Sequence, residues 1–145
     1  MALYKEKKYS ESIKLYEEAR KVEPQNPMML FRLSEAYAKI NELEVAIAIL
    51  DTEISIDNSY SVFYNNRGLL YYKLNENDKA LNDYKKAIAL DSTTYVAYGN
   101  IALVYYRKRM FDEACEAIKK AEKRGINLDH ADNKELKTIK RLHCD

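Results

Sequence analysis

Residues 61–94 read SVFYNNRGLLYYKLNENDKALNDYKKAIALDSTT, and residues 95–125 read YVAYGNIALVYYRKRMFDEACEAIKKAEKRG. Laid one over the other, Tyr64 falls on Tyr98, Tyr71 on Tyr105 and Ala80 on Ala114. One period of 34 residues earlier, the same register holds Leu30, Tyr37 and Ala46. A fixed period of this length means that the chain stacks copies of one small unit. With Pro27, Ser61 and Tyr95 as first positions, repeats fall at 27–60, 61–94 and 95–125. Run backwards, the frame leaves 1–26 as a partial repeat with Met1 at its ninth position, so that the chain either opens on a frayed half-repeat or is cut from a longer array.

Each repeat holds two segments whose apolar residues recur at three and four, the spacing of amphipathic helices. Asn41 and Asn75 stand between the two segments, where a left-handed residue makes the connection tight. Helices joined so closely pack antiparallel. Ser34, Gly68 and Ala102 on the first helix, and Ser12, Ala46, Ala80 and Ala114 on the second, are small, which lets the paired axes approach closely. Three glycines and two prolines in the whole chain suit helices with short links and argue against a sheet.

Charge excludes several functions. The 24 Lys and Arg nearly cancel the 23 Asp and Glu, leaving no overall pull toward nucleic acid or anionic lipid. The opening residues carry no apolar leader, and no uncharged run is long enough to span a bilayer, so the cytoplasm is the default location expected. Thirteen tyrosines suggest base stacking, but Tyr37, Tyr64, Tyr71, Tyr84, Tyr98 and Tyr105 sit at repeat-defining places, where packing accounts for them.

The pattern resembles the tetratricopeptide repeat (TPR): an aromatic at position four, Leu-Gly at seven and eight, Tyr at eleven, Ala at twenty, an aromatic at twenty-four, Ala at twenty-seven and Pro near thirty-two. Repeat three matches with Tyr64, Gly68, Tyr71, Ala80, Tyr84 and Ala87, and repeat four with Tyr98, Ile101, Ala102, Tyr105, Ala114 and Ala121. Repeat two has Leu30, Leu33, Tyr37, Ala46 and Leu50, and the partial repeat has Ser12, Tyr16, Ala19 and Pro24. The resemblance covers residues 1 to about 125 without a slip of phase, and implies an all-α, right-handed superhelical α-solenoid of antiparallel helix pairs in one domain. Two departures stand out: Glu53 where alanine is expected and Arg67 where leucine is expected. In the family's geometry these places lie near each other, and the expectation is a partly buried ion pair between them. Asn58 and Ser92 replace the proline between repeats, which softens the preset turn.

Past Gly125, a left-handed stop for a helix, the pattern ends. Asp132 with Glu135 resembles a capping-box start, and Leu136, Ile139 and Leu142 form a narrow apolar stripe. Residues 126–145 are therefore expected as a C-terminal capping helix over the last repeat. The alternative use of such a basic amphipathic helix is contact with a membrane or an acidic partner.

Nothing in the chain reads as catalytic, and no cofactor is expected. His143-Cys144 lacks the further ligands of a zinc site and reads as terminal surface. Cys115 and Cys144, 29 residues apart on different helices, read as two free thiols, with Cys115 buried and inert. There is no Gly-rich phosphate loop, HExxH, GxSxG or EF-hand. The acidic pairs Glu17-Glu18 and Asp112-Glu113 read as solvated faces, since general acid–base work needs a shielded pocket.

The family resemblance implies that first helices line a concave groove where partners bind, through positions two, five, six, nine, twelve and thirteen. The candidate peptide-binding residues are Phe31, Arg32, Glu35 and Lys39 in repeat two; Asn65, Asn66, Leu69, Tyr72 and Lys73 in repeat three; and Asn100, Leu103, Tyr106 and Arg107 in repeat four. Asn66 and Asn100 form an amide ladder able to hold a peptide backbone, donating to C=O and accepting from N–H. Lys5, Lys39, Lys73 and Arg107 form a ladder of cations, with Tyr72 and Tyr106 beside it as amphipathic contact area. The carboxylate clamp of chaperone-binding family members is excluded: its places hold Phe31, Glu35, Asn66, Val96 and Asn100, and only Asn66 agrees.

The function expected is a non-catalytic scaffold or adaptor that binds a protein or peptide segment, with neither nucleic acid nor an inserted membrane segment involved. The rival is a positioning segment of a larger enzyme or sensor whose other module lies elsewhere, and a nucleic-acid-binding helical repeat is a more remote third. The sequence specifies neither oligomeric state nor the partner's identity.

Overall fold

The computed structural model describes residues 2–24 and 26–144, with side chains from Lys7 onward. Among them are eight α-helices and no strand: α1 (Ala2–Val22), α2 (Pro27–Lys39), α3 (Leu43–Ile56), α4 (Ser61–Lys73), α5 (Asn77–Leu90), α6 (Tyr95–Arg107), α7 (Phe111–Lys123) and α8 (Lys134–His143), the last preceded by a 3-10 turn at Ala131–Asn133. The chain divides into two compact bodies, Met1–Phe63 and Tyr64–Asp145.

One hydrogen-bond pattern ends four helices. Asn41, Asn75, Arg109 and Gly125 all take positive φ (66°, 61°, 62° and 99°). In each case the next residue's N–H reaches back five places: Glu42 to Tyr37 O, Glu76 to Tyr71 O, Met110 to Tyr105 O and Ile126 to Ala121 O. The left-handed residue itself donates three places back, as Asn75 N–H does to Tyr72 O at 3.1 Å. This Schellman geometry satisfies carbonyls that a helix end otherwise orphans. The recurring tyrosine thus sits at the turn's first position. Arg109 is the member that its residue type conceals, because a non-glycine, non-asparagine side chain seldom enters this region.

The links from second helix to next first helix use another device. Asp57 accepts from Ser59 N–H at 2.9 Å, and Asp91 accepts from Thr93 N–H at 2.9 Å and its hydroxyl at 2.6 Å. These Asx turns supply the bend at Asn58 and Ser92 where the family places proline. The hydrogen bonds hold both carboxyls below the ordinary aspartate range. α2 starts on Pro27, with Asn26 as cap accepting from Met29 N–H at 3.2 Å.

In the first body, α2 packs on α1 and α3. Leu30, Leu33 and Ile49 form its buried cluster, flanked by Ile13, Tyr16 and Tyr37. α1 is one continuous helix through Lys7, the register place of Asn41 and Asn75. In the second body, α6 packs on α5 and α7, and α8 packs on both α6 and α7. Ala80, Tyr84, Ala102, Ala114, Ile118 and Ile139 belong to its core.

Arg67 finds a partner within its own body, and two expectations, on the cysteines and on the capping box, are corrected. Arg67 closes a fork on Asp83, with Nε to Oδ2 at 2.8 Å and Nη2 to Oδ1 at 2.7 Å. In the other body Glu53 is buried, and its Oε1 has no hydrogen-bond partner among the described residues. Asp83 lies on the antiparallel partner helix of Arg67's own repeat, which presents a carboxylate at the guanidinium without leaving the helix pair. Cys115 and Cys144 are not free thiols but a disulfide. The return of α8 onto α7 brings together sulfurs that sequence distance kept apart. The capping box does not form: Asp132 lies in the 3-10 turn, α8 begins one residue beyond Asn133, and Asn133 makes no side-chain cap bond. Of the apolar stripe, Leu136 (4% exposed) and Ile139 (1%) are buried, whereas Leu142 (60%) is not.

Candidate functional site

The sequence-predicted residues divide between the two bodies. In the first, Phe31 is half-buried, with its ring 6.2 Å from that of Phe63. Arg32 is tied to Glu35 at 2.9 Å, one helical turn along α2. Arg32, Glu35 and Lys39 line a cleft of about 180 Å3 whose other wall is Tyr9, Ser12 and Tyr16 of α1. Lys39 has no ion-pair partner among the described residues, and the side chain of Lys5 lies outside them.

In the second body, α4 and α6 bring two amides together. Asn100 Nδ2 donates to Asn65 Oδ1 at 3.2 Å. That bond fixes the orientation of the Asn100 amide and leaves its carbonyl oxygen and second N–H unspent. Asn66, next to Asn65, makes no side-chain hydrogen bond with the described residues and is half-buried. The amide ladder therefore has a fixed rung, and its fixing partner is Asn65 rather than Asn66. Leu69 and Val96 stay exposed on the same two helices, at 36% and 44%.

The cation ladder is less uniform than the sequence suggests. Lys73 is exposed, but Arg107 is committed within the body: its guanidinium lies 3.4 Å from the Tyr72 ring centroid, and Nη1 donates to Tyr72 O at 2.5 Å and Asn75 Oδ1 at 3.1 Å. Burial is the main cause raising the Tyr72 hydroxyl above its ordinary value; the Arg107 charge opposes that rise and Glu135 adds to it. Arg107 thus staples α6 to the end of α4, and a guanidinium on an aromatic face keeps its charge while losing freedom.

Leu103 and Tyr106 are half-buried against the second body's core. A cleft of about 100 Å3 between α6 and α8 is lined by Val96, Gly99, Asn100 and Leu103 on one side and Asp132, Glu135 and Leu136 on the other. The acidic residues beside the amides come from the C-terminal segment, and no repeat register pointed to them.

Glu53 carries a buried carboxyl raised to about 7 by loss of solvation. No group of three or more His, Cys, Asp or Glu among the described residues is placed to hold a metal ion. No helix among them is long and apolar enough to cross a membrane.

Family models of the tetratricopeptide repeat match residues 3–57, 61–93 and 95–124. Among curated proteins, none matches the chain. Among solved structures, the crystal structure of MamA is 26% identical, covers 81% of this chain and 68% of its own, and superposes with a TM-score of 0.75. YrrB, described as a TPR protein with an unusual peptide-binding site, is 19% identical over 91% of this chain and 67% of its own, with a TM-score of 0.77. The first TPR of Spaghetti (RPAP3), bound to the HSP90 peptide SRMEEVD, is 20% identical over 81% and 92%, with a TM-score of 0.71. The last two likenesses speak to the fold.

Proposed function

Because the chain belongs to the tetratricopeptide repeat family, we propose that it is a non-catalytic interaction module holding a segment of another polypeptide along its first helices. The observation that carries this reading is the amide pair of the second body: Asn100 is oriented by Asn65 while its remaining hydrogen-bonding groups stay available, and Asn66, next along α4, makes no side-chain hydrogen bond with the described residues. Amides so placed can grip a peptide backbone through one C=O and one N–H per residue. Leu69 and Val96 beside them offer apolar contact. Backbone capture with a few apolar contacts favours an extended segment over a folded surface.

The peptide-binding site of YrrB and the peptide bound by the Spaghetti repeat support a polypeptide ligand by analogy of fold. The clamp chemistry does not carry over, since Phe31, Glu35 and Val96 stand where cations and an amide are required. The disulfide suits an oxidising compartment better than the cytoplasm expected by default.

The test is selection from a displayed library of random twelve-residue peptides, with SRMEEVD as a control expected to stay unbound. Asn66→Ala and Asn100→Ala should each weaken a selected peptide by about 1 kcal/mol, with an unchanged helical spectrum. Equal binding by the double variant would remove the amide cluster from the site.

A further inference from the structure

The C-terminal helix lies on the face of α6 that the repeat register assigns to a partner. Gly99, Leu103 and Tyr106 follow one another at four and three residues, a single stripe along α6. A Cβ built on Gly99 would stand 3.0 Å from Leu136 Cδ1 and 3.3 Å from Ile126 Cδ1, so a side chain there would crowd both methyls by a few tenths of an ångström. Leu103 shares its cleft with Leu136, and the Tyr106 ring lies 5.5 Å from that of His143.

What holds α8 there is slight apart from one bond. It is a ten-residue helix, shorter than isolated helices need to persist. Two of its apolar side chains, Leu136 and Ile139, are buried. His143 stacks flat on Phe111 at 4.3 Å, and Lys140 pairs with Glu122 at 2.7 Å in a partly exposed setting. The remaining fastening is covalent: Cys144, just past the helix, is bridged to Cys115 on α7.

We propose that α8 is a redox-latched occupant of the groove face of α6. With the bridge closed, it withholds Leu103 and Tyr106 from a partner segment; with the bridge open, it comes and goes. The idea rests on the groove reading above and names that site's regulation. The opening agent is a dithiol. One thiolate attacks the half-buried Cys144 sulfur, forming a mixed disulfide and expelling the Cys115 thiolate. The second thiol then displaces Cys144, so the dithiol leaves as its own disulfide. Two electrons and two protons end on the cysteines.

Hydrogen exchange read by mass spectrometry on the full chain, with and without dithiothreitol, tests this without any ligand. Maleimide labelling first confirms that both thiols appear only after reduction. Reduction should speed exchange in α8 about tenfold or more while the first body and α5 keep their rates. The Cys115→Ser/Cys144→Ser chain should behave as reduced under both conditions. An α8 rate indifferent to the bridge overturns the latch. So does acceleration spreading through α5 to α7, which would make the bridge a prop of the whole body.

Gly99→Ala supplies a second reading, because its methyl crowds Leu136. It should loosen α8 in the reduced chain much more than in the oxidised one, and equal loosening in both contradicts the latch. Finally, peptides selected on the reduced chain should bind it about tenfold more tightly than the oxidised chain, and equal affinities overturn the occlusion. Failure to select any peptide would count against the groove reading alone, since the exchange experiment stands without it.

Discussion

Gly68 on α4 faces Tyr84 on α5, and a single methyl placed there should cost stability although it improves the helix. A Cβ at residue 68 would lie 2.9 Å from Tyr84 Cε1, 3.0 Å from Cδ1 and 3.3 Å from the Ala80 carbonyl oxygen. Carbon atoms prefer about 3.5–4.0 Å, so the ring or the helix must yield by more than half an ångström. Tyr84 is 1% exposed, which leaves the ring no solvent side to swing into. Overpacking of this kind costs roughly 1–3 kcal/mol, and relief of a mid-helix glycine returns about 1 kcal/mol. The balance for Gly68→Ala is a loss of about 1 kcal/mol, or about 3 °C in melting temperature. The same register in repeat four holds Ala102 with Ile118, and in repeat two Ser34 with Leu50: among the three full repeats, the glycine accompanies the one ring. Gly68→Ala combined with Tyr84→Ile reproduces the repeat-four pairing and should be more stable than the two single losses added together, by about 1 kcal/mol. Urea titrations of the four chains measure this. A stabilised Gly68→Ala, or strictly additive changes, refutes the account.

Arg109→Asn keeps the left-handed turn with a side chain that tolerates it, and should raise stability by about 0.5–1 kcal/mol; a lowered urea midpoint would contradict this. Arg67→Met strands the buried Asp83 carboxylate and should cost about 3 kcal/mol, most of it recovered by adding Asp83→Leu. A double variant as unstable as the single one tells against the pair. Glu53 has a folded value near 7 against an ordinary 4.5. Since the folded chain binds this proton more tightly, the stabilisation is complete below about 4.5 and is lost as pH rises through about 7. Melting temperature should therefore fall more between pH 5 and pH 8 in the wild-type chain than in Glu53→Gln, and parallel curves would rule that out.

Much of the fold was legible because the repeat writes its packing into residue size: small residues at the helix crossing and tyrosine before each turn recur where the structure needs them. Asn41 and Asn75 announced their turns, while Arg109 makes the same turn under the pull of the helices on either side and gives no local sign. Register singles out Arg67 as a cation in need of a carboxylate but does not point to Asp83, because it says nothing of how a long guanidinium side chain chooses among carboxylates. A sequence separation of 29 between the cysteines gives no hint of a bridge, because only the backward packing of α8 brings them together. The amide cluster was half legible: Asn66 and Asn100 came from the register, whereas Asn65 as the fixing partner, and the loss of Arg107 to Tyr72, depend on side-chain geometry. The neighbourhood of Leu103 and Tyr106 was hidden for the same reason as the bridge.

The join between Cys115 and Cys144 also makes a closed ring of the chain between them. Trypsin cutting once after Arg124 leaves two polypeptides that still travel as one molecule, heavier by a single water, until a reductant parts them. Loss of the tail by a protease therefore takes two cleavages in the oxidised chain and one in the reduced chain. The lifetime of the C-terminal segment is in that sense set by its surroundings as much as by its sequence.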